Sequence, residues 1–158
     1  MSGRRTPRKF FRGPKKSYSI ERQIFTANLS SGGPSGNTVV VPASTEQGKR
    51  KVKNFSIQFV SDTVSGINHV VWALVYVPEG YDPNALTYVS GSLYEPNQNV
   101  IAAGILNDLT SATNRIFTPM SRNLNSGDRI YLLLSTSPSL APTNPVILSF
   151  LVTYAISY

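Results

Sequence analysis

The chain has 158 residues, with 15 Lys or Arg against 8 Asp or Glu, and a formal net charge of +7 at pH 7. This length suits one domain, and the absence of cysteine excludes disulfides and zinc–thiolate sites. No stretch is long and apolar enough to predict a transmembrane helix, so we expect no membrane insertion. The basic start lacks the following apolar run of a secretory leader.

The net charge lies in the first sixteen residues, which contain seven cations and no acid. These arm cations are Arg4, Arg5, Arg8, Lys9, Arg12, Lys15 and Lys16. The rest of the chain balances eight basic against eight acidic residues. A segment rich in Arg, Lys, Pro and Gly without hydrophobic periodicity cannot bury enough surface to fold alone. Residues 1–17 are therefore predicted to form a disordered, basic, nucleic-acid-binding arm, and residues 18–158 a separate folded domain.

The folded domain reads as a succession of strands. We predict strands at 18–28, 51–60, 70–77, 100–106, 114–118, 129–136 and 146–156, with a shorter β-branched run at 38–41. Apolar and polar residues alternate in most of them, and in 129–136 Ile130, Leu132 and Leu134 share one face. The run 70–77 is apolar throughout, which predicts a strand covered on both faces.

No window predicts a convincing amphipathic helix, and the only weak candidate lies at 107–112. Unevenly spaced strands with long loops favour two packed sheets over tight hairpin meanders. The predicted fold is all-β: a single eight-stranded antiparallel jelly roll, a two-sheet sandwich, with a disordered basic N-terminal arm.

The sequence offers little for catalysis. The single histidine, His69, has no cysteine or nucleophile motif to work with, and no pair of acids has a spacing that forces two carboxylates together. Glu79 and Asp82 are too few for an all-protein calcium site, and the Gly-rich stretch 31–36 lacks the ending of a phosphate-binding loop. We predict no enzyme activity, no catalytic residue, no metal and no cofactor.

A second group of cations is Lys49, Arg50, Lys51 and Lys53, at the start of a predicted strand. A period of two places the three lysines on one face and Arg50 on the other. If this strand lies where the arm leaves the domain, all four extend a surface for a polyanion. The alternative is a charged strand start that discourages edge pairing.

The arm itself is expected to bind phosphate by charge and counterion release, with little sequence preference. The Arg4–Arg5 and Lys15–Lys16 pairs could also serve as a nuclear import signal. The alternative is a tail that only improves solubility.

Three segments carry a resemblance to a known family: KRKVKNFSIQF at 49–59, RIFTPMSRNL at 115–124, and the strand start at 127–131. Together with the basic arm, they resemble the capsid proteins of small icosahedral viruses. The likeness is greatest to those of circovirus-like, Rep-encoding single-stranded DNA viruses. The chain is shorter than the usual circovirus capsid protein and its arm is less basic.

The resemblance implies a jelly-roll shell domain, of which about 60 copies close a T=1 icosahedral shell with the arms inward on the genome. It implies a virion protein that packages single-stranded nucleic acid, DNA favoured over RNA, and that meets nuclear import receptors in the host nucleus. The eighth strand would come from 38–41 or from a segment near Met120. The loop at 79–98 would join the fourth and fifth strands.

Aromatic and leucine side chains in that loop are predicted to contact neighbouring subunits, because such side chains are enriched in interface cores. They are Tyr81, Leu86, Tyr88, Leu93 and Tyr94. Two other readings stay open: a non-viral jelly-roll binding module, lectin-like or nucleic-acid-binding, with a basic tail, and, last, an enzyme on a β scaffold.

Overall fold

The computed structural model has eight β-strands and no helix within the residues that it describes. Those residues are 17–29, 34–61, 69–84, 86, 99–107, 114–136 and 146–158. In this part of the chain no helix could cross a membrane. The strands are β1 (Ser19–Leu29), β2 (Pro34–Val41), β3 (Arg50–Ser61), β4 (His69–Val77), β5 (Asn99–Asn107), β6 (Asn114–Leu124), β7 (Arg129–Thr136) and β8 (Val146–Ser157).

The strands form two four-stranded sheets. The first sheet has the order β1-β8-β3-β6 and the second the order β2-β7-β4-β5, and every pairing is antiparallel. Successive strands alternate between the sheets except β4 and β5, which pair within the second sheet. This arrangement confirms the all-β, eight-stranded, two-sheet jelly roll, and it confirms that the 79–98 segment connects the fourth and fifth strands.

Two predicted strand boundaries need correction. The run at 38–41 supplies the strand that the sequence left unassigned, and this strand, β2, begins earlier than the run, at Pro34. The predicted end of a strand at Thr118 is wrong, because β6 continues through Pro119 and Met120 to Leu124. Proline is tolerated there because β6 lies at the edge of its sheet and the pairing with β3 skips Pro119 at a register shift. Of the weak helix candidate, only Asn107 is described, and it ends β5.

The main core lies between the sheets. The first sheet contributes the alternating residues predicted from the sequence, and Phe59 and Phe150 place their ring centroids 5.9 Å apart there. The second sheet contributes Trp72 and its neighbours at every second position of β4 and β7. Gly104 of β5 faces Trp72, and a Cβ at Gly104 would stand 3.0 Å from the indole Nε1. Glycine therefore makes room for the large indole.

A second apolar cluster lies on the opposite side of β4 and β7. We call it the outer apolar cluster, and its buried members are Ala73, Val75, Val77, Leu86, Tyr131 and Leu133. It confirms that the 70–77 run is covered on both faces. In β7 the sequence predicted one buried face, whereas Tyr131 and Leu133 are buried as well. The reason is that Leu86 from the β4–β5 connection packs on this side, together with the apolar residues of β4.

A bulge in β3 changes which side chains face outward. Asn54 has a φ of 56°, a left-handed conformation that asparagine tolerates better than most residues. The pairing of β3 with β8 shifts register between Lys53 and Ser56. As a result Val52 and Phe55 are both buried although they are three positions apart in sequence. The bulge leaves Lys51 and Lys53 outward.

A turn at 125–128 joins the two sheets at one end of the sandwich. The carboxylate of Asp128 accepts hydrogen bonds from the Tyr76 hydroxyl at 2.9 Å, from the Glu79 N–H at 3.2 Å and from the Asn125 N–H at 2.7 Å. Asp128 is itself 3% exposed. Burial and the hydrogen bond to Asp128 raise the pKa of Tyr76 to about 12. The turn is thus a buried polar junction between the two sheets.

Candidate nucleic-acid interface

The basic arm joins the folded domain beside Lys53. The last residues before β1 are Ser17 and Tyr18, and the Lys53 Nζ lies 3.7 Å from the centroid of the Tyr18 ring. An ammonium at this distance over an aromatic face is attracted by the ring quadrupole. The second group of cations therefore lies where the arm joins the domain, which is the arrangement that a continuous polyanion surface requires. The arm cations themselves lie outside the described residues, and their role stays a prediction.

The four cations of that second group separate into two kinds. Lys49 is exposed, and Lys51 and Lys53 are half-buried on the outer side of β3. Arg50 is only 7% exposed, and its guanidinium donates from Nη1 to the Pro42 carbonyl at 3.0 Å and from Nη2 to the Asp128 carbonyl at 3.3 Å. The period of two had already placed Arg50 on the other face. Arg50 is thus a structural cation, and the three lysines are the cations open to a ligand.

Two isolated cations from other strands lie on the same outer face. Arg22 of β1 is paired with Thr153, and Arg115 of β6 is paired with Gln58. With Lys51 and Lys53 they make four of the eight cations of the folded domain, and we call this surface the basic sheet face. Among the described residues, no acidic side chain occupies an outward position on it.

Arg22 and Arg115 border one shallow depression on the basic sheet face. Its volume is about 290 Å³, and its lining residues are Arg22, Ser56, Gln58, Arg115, Leu151 and Thr153. The Arg115 Nε donates a hydrogen bond to the Ser56 Oγ at 3.1 Å. Hydroxyl, amide and guanidinium groups therefore converge here from four strands. Such a set can donate to phosphate oxygens and to polar base edges.

Large apolar side chains are exposed on the first sheet as well. On its edge strand β1, Ile20 is 67% exposed and Ile24 is 77% exposed. On its other edge strand, Phe117 is 58% exposed and lies directly opposite Ser56. All three lie at outward positions, so this face carries apolar side chains among its cations.

The predicted subunit-contact residues fall into three groups. Tyr81 is exposed, at 49%. Leu86 is 6% exposed and packs in the outer apolar cluster of its own chain, so the structure uses it inside the subunit. Tyr88, Leu93 and Tyr94 lie outside the described residues. Their contacts with a neighbouring subunit stay predictions.

No cluster that could hold a metal ion is present among the residues described. No group of three or more His, Asp or Glu side chains is placed together there. His69 begins β4. Besides Tyr76, the pKa of Tyr154 is raised to about 12, chiefly because the side chain is buried. Both tyrosines face the interior of the sandwich, so neither side chain lies on the basic sheet face.

Comparison with known proteins supports the fold. No protein-family model matches the sequence, and no curated protein matches it. A chain in a structure of infectious bursal disease virus, Gx strain, aligns with a TM-score of 0.51 and 12% identity, over 89% of this chain and 32% of that chain. The present chain thus spans about a third of the length of that viral chain.

Two other solved structures align with lower scores. One is the T13 viral particle of infectious bursal disease virus, with a TM-score of 0.44 and 9% identity over 89% of this chain and 38% of that chain. The other is a pilus of Bacillus endospore appendages, with a TM-score of 0.35 and 12% identity over 96% of this chain and 98% of that chain. At these identities a likeness concerns the fold, and the Gx-strain match shows that this sandwich is shared with a chain from a virus.

Proposed function

We propose that this protein is a viral coat protein that assembles into a small T=1 shell and packages single-stranded nucleic acid. The observation that carries the proposal is the position of the arm. An arm with seven cations and no acid joins a jelly-roll domain beside Lys53, on the sheet face where four cations of the described residues lie together. One part of the chain is thereby suited to a polyanion and the rest to contacts between folded domains.

The polyanion contact begins in the arm and continues onto the domain. The arm cations bind phosphates with affinity that falls steeply with salt. Lys49, Lys51 and Lys53 continue this charge onto the start of β3. In about 60 copies the seven arm cations alone supply about 400 positive charges, fewer than the phosphates of a genome of about one to two thousand nucleotides. The three lysines raise the total to about 600.

Assembly would use the apolar side chains that a single copy leaves exposed. Ile20 and Ile24 lie on β1, whose second edge pairs with no strand among the described residues. A neighbouring subunit would approach along this edge of the sheet rather than over the basic sheet face. Tyr81, in the β4–β5 connection, is a second exposed side chain that could contact a neighbouring subunit. Repeated contacts related by rotation close into a shell rather than an open filament when the rotations return to the start.

The test is the state of the purified full-length chain. Size-exclusion chromatography with light scattering and negative-stain microscopy should show closed particles of one diameter, far above the 17.3 kDa of one chain. The particles should contain nucleic acid that added nuclease does not digest. A chain that stays near its single-copy mass at high concentration would refute the shell.

The type of nucleic acid and the site of assembly are part of the same proposal. We favour DNA over RNA, and we place assembly in the host nucleus, with the Arg4–Arg5 and Lys15–Lys16 pairs read by import receptors. Digestion of the extracted contents with DNase or RNase decides the first point. Microscopy of the fluorescently tagged chain, with both pairs changed to Gln, decides the second.

A further inference from the structure

We infer that the basic sheet face is a second, ordered contact surface for single-stranded nucleic acid, with a phosphate held between Arg22 and Arg115 and a base stacked on Phe117. This inference rests on the proposed function, because it assigns to the folded domain a share of the genome contact. It adds residues to that contact that lie neither in the arm nor in the 49–53 segment.

The distribution of charge is the first argument. Four of the eight cations of the folded domain lie on one face of one sheet, and no described acid lies among them. The other four are placed differently: Arg50 is buried, Arg122 faces inward opposite Val52, Arg129 lies on the second sheet, and Lys49 precedes β3. Like charges repel on a small surface unless an anion lies between them. The arrangement therefore favours an anionic ligand that covers the whole face.

The depression is the second argument. Arg22 and Arg115 come from the two opposite edge strands of the sheet, and both border the same volume of about 290 Å³. A planar guanidinium on each side can donate two hydrogen bonds to one phosphate group. Ser56 and Thr153 supply hydroxyls between the two arginines, and Gln58 supplies an amide. A space of this size holds a phosphate with part of its nucleoside.

The exposed aromatic ring is the third argument. Phe117 is 58% exposed although it lies on a strand of the sandwich, in the same cross-strand row as Arg22, Thr153 and Ser56. An exposed phenyl ring beside cations is the combination that stacks bases of single strands, with little dependence on sequence. A duplex keeps its base faces covered, so the ring favours single strands. The Tyr18 ring, held under Lys53, leads from this surface to the arm.

In the proposed shell the first sheet then faces the genome. The chain leaves the arm at Tyr18 and enters β1 on the same surface. Nucleic acid bound by the arm therefore lies within reach of the basic sheet face without any change in the folded domain. Arm and sheet act as linked sites, and the second contact forms at high local concentration.

Photo-crosslinking of the full-length chain, dissociated into subunits and freed of its own nucleic acid before the probe is added, tests the inference directly. The probe is a single-stranded oligomer of about 12 nucleotides with 5-bromouracil bases, long enough to cover one domain. After irradiation and digestion, mass spectrometry should identify crosslinks in the peptide that contains Phe117 as well as in the arm. Deoxy and ribo versions of the oligomer separate DNA from RNA, and the matching duplex should crosslink at Phe117 several-fold less.

Matched single-charge variants of the full-length chain give an independent measurement. Arg22→Gln and Arg115→Gln each remove one cation of the depression, and Arg129→Gln removes one from the second sheet. The affinity for the same oligomer should fall in the first two, and the slope of log affinity against log salt should shrink by about 0.7 for each lost phosphate contact. Arg129→Gln should leave both nearly unchanged. Thermal unfolding checks that all three variants remain folded.

The outcomes separate this inference from the proposed function. Crosslinks at Phe117, with a selective loss in Arg22→Gln and Arg115→Gln, support both. Crosslinks confined to the arm, or an equal loss in all three variants, overturn the sheet contact and leave the arm-based proposal standing. Absence of any crosslink, in the arm as well as on the sheet, overturns both.

Discussion

The outer face of the first sheet is open to solvent and carries cations among exposed apolar side chains, whereas much of the outer face of the second sheet is apolar and buried. The first carries four cations, with Ser56, Gln58 and Thr153 between them. The second carries the outer apolar cluster, in which Val75 and Val77 are 0% exposed. Two sheets with the same number of strands and the same antiparallel pairing thus differ in the charge and the burial of their outer faces.

The difference follows from the side-chain pattern of the interior strands. In β8, Leu148, Phe150 and Val152 alternate with half-buried residues that face outward. In β4 nearly every residue is apolar, as expected for a strand covered on both sides. The β4–β5 connection supplies Leu86 to the cover of the second sheet. The outer face of the second sheet is therefore largely covered within the chain, and that of the first sheet stays open to solvent.

The largest expected effect comes from removing the charge of the arm. Changing all seven arm cations to Gln should abolish packaging and reduce the salt slope for single-stranded DNA by about 5, because each lost phosphate contact removes about 0.7. The folded domain should keep its stability, since the balanced charge from Ser17 onward is untouched. Fluorescence anisotropy at several salt concentrations and the ultraviolet spectrum of purified particles measure both.

An arm variant that still packages the normal amount of nucleic acid would show that the basic sheet face alone is sufficient. The outer face of the first sheet would then make the whole contact with the nucleic acid. An arm variant that unfolds would show instead that the arm supports the domain.

Two leucines at outward positions of interior strands test whether the outer face of the second sheet is more deeply buried than that of the first. Leu133 of β7 belongs to the outer apolar cluster and is 1% exposed, and Leu151 of β8 lines the depression on the basic sheet face. Leu133→Ala should lower the free energy of unfolding by about 2–5 kcal/mol, and Leu151→Ala by about 1 kcal/mol or less. Urea unfolding of unassembled subunits measures both, and equal losses would contradict the difference between the faces.

Much of the fold could be predicted from the sequence because local patterns specify it. Alternation located β3 and β8, and the continuous apolar run located β4 as a strand covered on both sides. Pro119 misled the prediction because a proline stops an interior strand but fits an edge strand at a bulge. Edge positions are set by the pairing of distant strands, which a local pattern does not reveal.

The same limit explains the part of the candidate interface that sequence reasoning missed. Lys49, Lys51 and Lys53 form a local group and are visible in sequence. Arg22 and Arg115 are isolated cations from opposite edges of the sheet, and only the strand order β1-β8-β3-β6 brings them to one depression. Leu86 shows the converse, since a loop leucine predicted for a contact between subunits is used inside its own.

A smaller effect is expected at the junction that holds the two sheets in their relative positions. Asp128 of the 125–128 turn accepts three hydrogen bonds through its carboxylate, and its backbone carbonyl accepts from Arg50 at the start of β3. In Asp128→Asn an amide nitrogen faces donors, which should cost about 1–3 kcal/mol of unfolding free energy. Asp82→Asn, at an exposed position, is the control. Thermal and urea unfolding compare the two, and an equal cost would mean that the junction contributes nothing.

The smallest effect concerns the inner faces, where the sheets should behave alike. Tyr76 of the second sheet and Tyr154 of the first both have a pKa raised to about 12, mainly by burial, against an ordinary value of about 10. Because the folded state keeps these protons longer than the unfolded state, their stabilisation is complete below about pH 10 and is lost as the pH rises through about 12. Urea unfolding across this range should therefore show a decline that becomes shallower in Tyr76→Phe and in Tyr154→Phe. A decline that persists unchanged in both variants would show that neither inner face retains its protons. A decline that responds to only one of them would show that the sheets differ inside the sandwich as well as outside.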